Sequence, residues 1–215
     1  MLSLKTELKN ILAIGAHPDD IEFGCGGSLA HYADIGVSII AIVLTEGKAG
    51  CHESVNRVAE TRTALAHLGI TQVINFDFDD TRLGMQLDAV IKALEDAIYG
   101  HIHLAEGVSR VYTMCRSDRH QDHRIVYDAS IVACRMARQI LCYETPSTWA
   151  SFAPHVYAEI SQDNMDKKIV ALQAHNSQLH RNYMQPDQVR AVARFRGQQV
   201  GCEMSEAFSI HKMVL

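Results

Sequence analysis

Short, unbroken apolar runs alternate with longer stretches of helical periodicity through the first two thirds of the chain. Residues 11–14 (Ile-Leu-Ala-Ile) form one such run, stopped by Gly15, and residues 37–44 form another. Runs of this length without polar alternation suit strands buried on both faces. Residues 73–78 alternate more, and 111–114 and 140–143 give two further short strands. Between them lie helical patterns. Residues 26–34 are stopped by Gly36. Residues 54–68 have Ser54 as an N-cap and Gly69 just past the end. Residues 87–99 place Leu87, Val90, Ile91, Leu94 and Ile98 on one face, and residues 125–138 follow. This βαβα rhythm predicts an α/β domain with a parallel sheet covered by helices on both faces. Beyond Glu144-Thr145-Pro146 the rhythm weakens. Residues 156–160 read as a strand and 165–179 as a helix. Gln185-Pro186-Asp187 opens another helix that Gly197 ends. With no repeat, low-complexity tract or linker, residues 1–215 read as a single domain.

Composition narrows the function classes. The chain has 215 residues, 47% of them hydrophobic, and a formal net charge of -5. That supports a sizeable core and argues against a general binder of nucleic acid or anionic membrane. No apolar run reaches the roughly 20 residues of a membrane span. The first ten residues are too polar for a secretory leader, so a cytoplasmic location is expected. The six cysteines form no C-x-x-C pair and read as reduced, mostly buried thiols.

Two polar clusters sit where a parallel sheet binds ligands, beyond strand carboxyl ends. His17-Pro18-Asp19-Asp20 directly follows the first strand, and His120-Gln121-Asp122-His123 lies in the loop after the fourth. Imidazole nitrogens with carboxylate oxygens suit zinc, although iron, cobalt or nickel accept the same donors. Two ligands from one segment and one from the other would leave a position open for water. The residue types alone also allow a plain turn, with Pro18 fixing φ and Asp19 or Asp20 capping a helix, and an ordinary solvated loop at the second cluster.

A resemblance covers most of the chain. Gly15-Ala16-His17-Pro18-Asp19-Asp20, with Glu22, Gly24 and Gly26-Gly27, resembles the signature of the LmbE-like (PIG-L) family of zinc-dependent N-acetylglucosaminyl deacetylases. His120-Gln121-Asp122-His123-Arg124 resembles that family's H-P-D-H-R motif, with Gln121 in place of Pro. Leu44-Thr45, Gly47, Arg57, Glu60, Leu68-Gly69, Tyr143-Glu144, Lys168, Ala171-Leu172, His175, Ser177, Gln178 and Glu206-Ala207-Phe208 extend the similarity. The resemblance implies a three-layer α/β/α, Rossmann-like fold with a mainly parallel sheet. It implies that His17, Asp20 and His123 bind Zn2+, with Asp19 as general base. His120 would stabilise the oxyanion, and Asp122 would orient His120 and keep it charged. Arg57 and Asp79 or Asp80 would contact substrate. The implied reaction removes an acetyl group from an N-acetylated amino sugar or its conjugate, and a homo-oligomer is plausible for the family. Two alternatives remain: hydrolysis of another C–N bond, and a non-catalytic metal or sugar-nucleotide binder on the same scaffold.

Other candidates are weaker. Gly24-x-Gly26-Gly27 reads as a turn that lets backbone approach the metal loop. Cys25 and Cys115 read as inert thiols. His175 reads as a helical residue lining the site. Arg181, Arg190, Arg194 and Arg196 read as a solvated face or, alternatively, a subsite for an anionic part of the substrate.

Overall fold

The five apolar runs of the first 143 residues become five parallel strands of one sheet. A computed structural model describes residues 8–52, 55–100 and 107–214. Its elements are β1 (Asn10–Gly15), α1 (Asp20–Asp34), β2 (Ser38–Thr45), α2 (Arg57–His67), β3 (Gln72–Phe78), α3 (Leu87–Gly100), β4 (Arg110–Met114), α4 (Gln121–Ala133), β5 (Gln139–Tyr143), β6 (Val156–Glu159), α5 (Gln162–Gln173), α6 (Pro186–Val200) and β7 (Ser205–Met213). The strand order is β3-β2-β1-β4-β5-β7-β6. The first five strands pair in parallel, and β7 runs antiparallel to both β5 and β6. Helices α1, α2 and α5 pack together, and α3 packs on α4. Right-handed crossovers to the two sides of β1 put these groups on opposite faces, giving the expected three layers. The central strands carry the core: Leu12, Ile14, Ile42, Leu44, Val111 and Ile140 are all but inaccessible to solvent.

The strand order fixes where function can sit. From β1 the chain winds outward through β2 to β3, then crosses back to place β4 against the other side of β1. A crevice opens at that reversal, beyond the carboxyl ends of β1 and β4. The two polar clusters follow these two strands, so 100 residues of intervening chain bring them together.

Several boundaries differ from the sequence reading. Helix α1 begins at Asp20 and α4 at Gln121. The first turn of α4 is polar, and in α1 Asp20 and Glu22 alternate with Ile21 and Phe23, so apolar helical periodicity starts only later in each. Helix α2 begins at Arg57, with Asn56 Oδ1 accepting the Ala59 N–H at 3.0 Å; Ser54 lies outside the described residues. Helix α5 stops at Gln173, so His175 is in a turn rather than a helix. Gly197 does not end α6. A Cβ there would lie 2.7 Å from the Cys202 carbonyl oxygen, so the bare residue lets the helix lie against the returning chain. The helix ends at Gly201, which adopts φ 78°. Strand β7 has no counterpart among the predicted elements, because its apolar residues do not alternate strictly and its pairing with β5 shifts register between Ile140 and Leu141.

The glycines after the first cluster are not a turn either. They lie within α1, which kinks at Cys25 (φ -143°). The break frees two N–H groups, and Glu206 from β7 accepts both, from Gly27 at 2.9 Å and Ser28 at 2.8 Å. Lys168 on α5 neutralises this buried carboxylate at 2.6 Å and also donates to the Phe23 carbonyl. Gly24 gives the Tyr143 ring its room: a Cβ there would lie 2.0 Å from Tyr143 Cδ2. The Tyr143 hydroxyl donates to the Ile14 carbonyl oxygen at 2.7 Å, tying α1, β1 and β5 below the crevice. Gly24→Ala should therefore displace a fully buried ring and cost about 2–3 kcal/mol. The expected result is a lower urea midpoint, and an unchanged midpoint would contradict this packing.

Candidate active site

A cavity of about 390 Å3 opens at the crevice. His17, Asp19, Asp20, Asp80, His120 and His123 line it, with Phe23, Arg57, Arg119, Gln178, Arg181 and Tyr183 among its other walls. Asp20 is the first residue of α1, His120 is the N-cap of α4 and His123 lies in its first turn. Both helix N-termini thus face the crevice, where their dipoles favour anionic groups.

His17, Asp20 and His123 come together closely. His17 Nδ1 lies 3.3 Å from His123 Nε2 and 3.5 Å from Asp20 Oδ2, and His123 Nε2 lies 3.4 Å from Asp20 Oδ1. A tetrahedral shell with bonds of about 2.0–2.1 Å has edges of about 3.4 Å. The outward nitrogen of each ring is already engaged. His17 Nε2 lies 3.1 Å from both Asp122 Oδ2 and Asp80 Oδ1, and His123 Nδ1 lies 3.0 Å from Asp118 Oδ2. Carboxylates accept, so both outer nitrogens carry hydrogen, and in the neutral rings that bind a metal both inner ones present lone pairs. Two lone pairs and a carboxylate then face one another with no donor among them. This donor set calls for a cation. His120 brings a further ring nitrogen within 4.8 Å of those of His17 and His123.

The same crowding of acids sets the protonation of the site. Burial opposes charge on His17, but its hydrogen bonds to Asp122, Asp20 and Asp80 outweigh it and hold its pKa well above the ordinary value, so without a cation the ring keeps a second proton, which a bound ion would displace. Burial raises Asp20, but His123 and His17 override it and lower its pKa to about 2. Burial pushes Asp19 up to about 6, against the pull of His175 and Arg57. Asp19 also holds a left-handed conformation, φ 95°, unfavourable for a residue other than Gly. Arg57 maintains the bend by donating to the carbonyl oxygens of Pro18 at 2.8 Å and Gly47 at 3.1 Å, and to Asp19 Oδ2 at 3.2 Å.

Two expectations, both about His120, need correction. The Asp122 carboxylate does not orient His120. It accepts from His17, from Thr81 N at 2.7 Å and from Leu83 N at 3.3 Å, while the Asp122 backbone N–H donates to His120 Nδ1 at 3.2 Å. Nor is His120 kept charged, because burial and the neighbouring His17 and His123 lower its pKa. Arg57 and Asp80 border the cavity; the terminal nitrogens of Arg57 donate to the protein while its Nε has no partner, and Asp80 lies against His17 and accepts the Ala49 N–H at 2.9 Å. Asp79 accepts from Gln86 and is absent from the walls of this cavity.

Asp118 was missed by the sequence reading. It is fully buried and accepts from Ser147 Oγ at 2.6 Å, Thr145 Oγ1 at 2.8 Å and His120 N at 2.8 Å, besides His123. The sequence signal available was an Asp two residues before the second cluster. His175 does not line the cavity. It is buried behind it, with Nε2 3.0 Å from Glu22 Oε1. Burial opposes its charge, but Glu22 raises its pKa. Cys25 and Cys115 are buried free thiols outside the cavity walls. His101 and His103 lie outside the described residues. No helix among the described residues is long and apolar enough to cross a membrane.

Residues 12–134 match the family model PIG-L, described as GlcNAc-PI de-N-acetylase. The chain is 50% identical over 177 residues to the uncharacterized deacetylase YaiS of Escherichia coli K12, covering 82% of this chain and 96% of the relative. It is 32% identical over 85 residues to the diacetylchitobiose deacetylase of Thermococcus kodakarensis, covering 36% of this chain and 32% of that protein. Among solved structures, the N,N'-diacetylchitobiose deacetylase of Pyrococcus horikoshii shares the fold with a TM-score of 0.77 at 22% identity, covering 95% of this chain and 84% of that one.

The Glu22–His175 pair generates a prediction. His175→Ala would leave a buried carboxylate without its partner, costing about 3–5 kcal/mol. The double replacement Glu22→Met, His175→Leu should recover much of that in urea denaturation. Equal losses in the single and double variants would show that the pair is not the source.

Proposed function

Because the chain belongs to the PIG-L family and is a deacetylase, we propose that it is a metal-dependent N-deacetylase of an N-acetylated amino sugar or its conjugate. The observation that carries this reading is the approach of His17 Nδ1 and His123 Nε2 to 3.3 Å with Asp20 beside them. These three residues would hold the ion, and their nitrogen and oxygen donors fit Zn2+. When bound, the ion supplies a water of lowered pKa and polarises the amide carbonyl. The remaining work falls to the chain. Asp19, beside this donor set, accepts the proton of the attacking water and passes it to the departing amine. Its raised pKa, about 6, suits a group that must both gain and lose a proton. Arg57 is a positioning residue that fixes the Asp19 bend. His120, with Nδ1 occupied as an acceptor, presents Nε2–H to the carbonyl oxygen as it becomes an oxyanion. Asp118, Asp122 and Asp80 hold the two ligand rings in the required tautomers. The amino-sugar substrate is supported by the description of the matched family and by the sugar named for the Thermococcus relative.

The reading is tested by acetate release from a panel of N-acetyl sugars, with apo and zinc-loaded protein. Zinc-dependent release is expected, and Asp19→Asn should lower kcat by at least about a hundredfold while metal stoichiometry stays intact. Turnover close to the unmodified protein in that variant would remove Asp19 as the base.

Asp118 offers a separate test. Asp118→Asn should weaken zinc binding by about 10–100-fold in chelator competition. His123→Ala should lower zinc content outright, and full occupancy in that variant would exclude His123 from the ligand set.

A further inference from the structure

The four arginines of the carboxyl-terminal third have different fates. Arg190 pairs with Asp166. Arg196 grips Glu144 through two bonds of 2.7 and 2.6 Å. Arg194 is exposed. Arg181 alone of the four lines the cavity. Its Nε donates to Gln178 Oε1 at 2.8 Å, which anchors the side chain. Among the described residues, no hydrogen bond or ion pair engages its two terminal nitrogens. A half-buried guanidinium held at one end, with its fork open to a cavity, is arranged to receive a planar or tetrahedral oxyanion.

Its surroundings support that use. Phe23 and Tyr183, in edge-to-face contact with centroids 5.9 Å apart, also line the cavity. Arg119 is a wall residue too, tethered to the Ser147 and Pro146 carbonyl oxygens. Asp19, Asp20 and Asp80 line the same cavity. One pocket thus holds acids and imidazoles suited to a cation together with a free cationic fork. A substrate with a neutral amide and a distant anion would be oriented by that contrast.

We propose that Arg181 is a specificity residue that binds an anionic substituent, so that the preferred substrate is an N-acetylated amino sugar carrying a phosphate ester or a carboxylate. This rests on the deacetylase reading above and names the substrate class for it.

The test uses zinc-loaded full-length protein with four probes: N-acetylglucosamine, its 1-phosphate, its 6-phosphate, and N-acetylmuramic acid. Acetate release gives kcat/KM for each, and calorimetric titration gives affinity independently of turnover. At least one anionic probe should exceed the neutral sugar by about tenfold or more, the scale of a charge-assisted hydrogen bond. The preferred probe distinguishes phosphate from carboxylate. In Arg181→Met the ratio of anionic to neutral kcat/KM should collapse through KM, and Arg181→Lys should restore part of it. Arg190→Met, which removes a cation outside the cavity, should leave the ratio unchanged. No anionic preference in either assay, or a parallel loss for all probes in Arg181→Met, would overturn the proposal. Absence of release from every probe, with an Arg181-dependent anionic preference still seen by calorimetry, would sink the deacetylase reading for these sugars and leave the subsite standing.

Discussion

Two imidazole nitrogens face each other because buried aspartates hold each ring from behind. Asp118 fixes His123, while Asp122 and Asp80 fix His17. Each carboxylate accepts an N–H and so turns a lone pair inward, next to Asp20. Without a cation a second proton on His17 takes its place, and the rest of the structure supplies what is needed to hold the two rings in position. Asp118 draws hydrogen bonds from Ser147, Thr145 and the His120 backbone, and Asp122 from the Thr81 and Leu83 backbones. Asp118, satisfied this fully and beside His123, stays ionised, its pKa strongly lowered.

The placement of Asp20 depends on a second buried charge system beneath the site. Helix α1 must start immediately after the first cluster and still fit over β1. It does so by kinking at Cys25, and the exposed N–H groups are met by Glu206 from the last strand. Lys168 makes that carboxylate tolerable in the interior. Thus the carboxyl-terminal segment, remote in sequence from either polar cluster, helps set the helix that carries Asp20. Arg57 does comparable work for Asp19 by tying the strained bend to the chain after β2. Binding and proton transfer are therefore served by adjacent residues under different constraints, Asp20 pulled down by imidazoles and Asp19 pushed up by burial.

Much of this was legible in the chain. Continuous apolar runs predicted five buried strands because a strand between two helical layers has no polar face to show. His17, Asp20, His123, Asp19 and His120 were singled out because imidazoles and carboxylates beyond strand ends carry chemistry rather than packing. Helix starts were placed too late at α1 and α4 for the same reason. The first turns carry polar functional residues, and hydrophobic periodicity is blind to those.

What the sequence could determine by itself was the identity of the donor groups and the strands that end beside them, since both are written in local residue type and period. Only the tertiary structure decided their partners. The strand order put β4 beside β1 and so joined clusters 100 residues apart. It gave the Asp122 carboxylate to His17 rather than to its neighbour His120, set the Arg57 guanidinium on the loop it clamps, and left Arg181 with an open fork while Arg190 and Arg196 were neutralised. Hydrogen-bond partners at long range depend on which backbones lie adjacent after packing, and that information is held in no single stretch of chain.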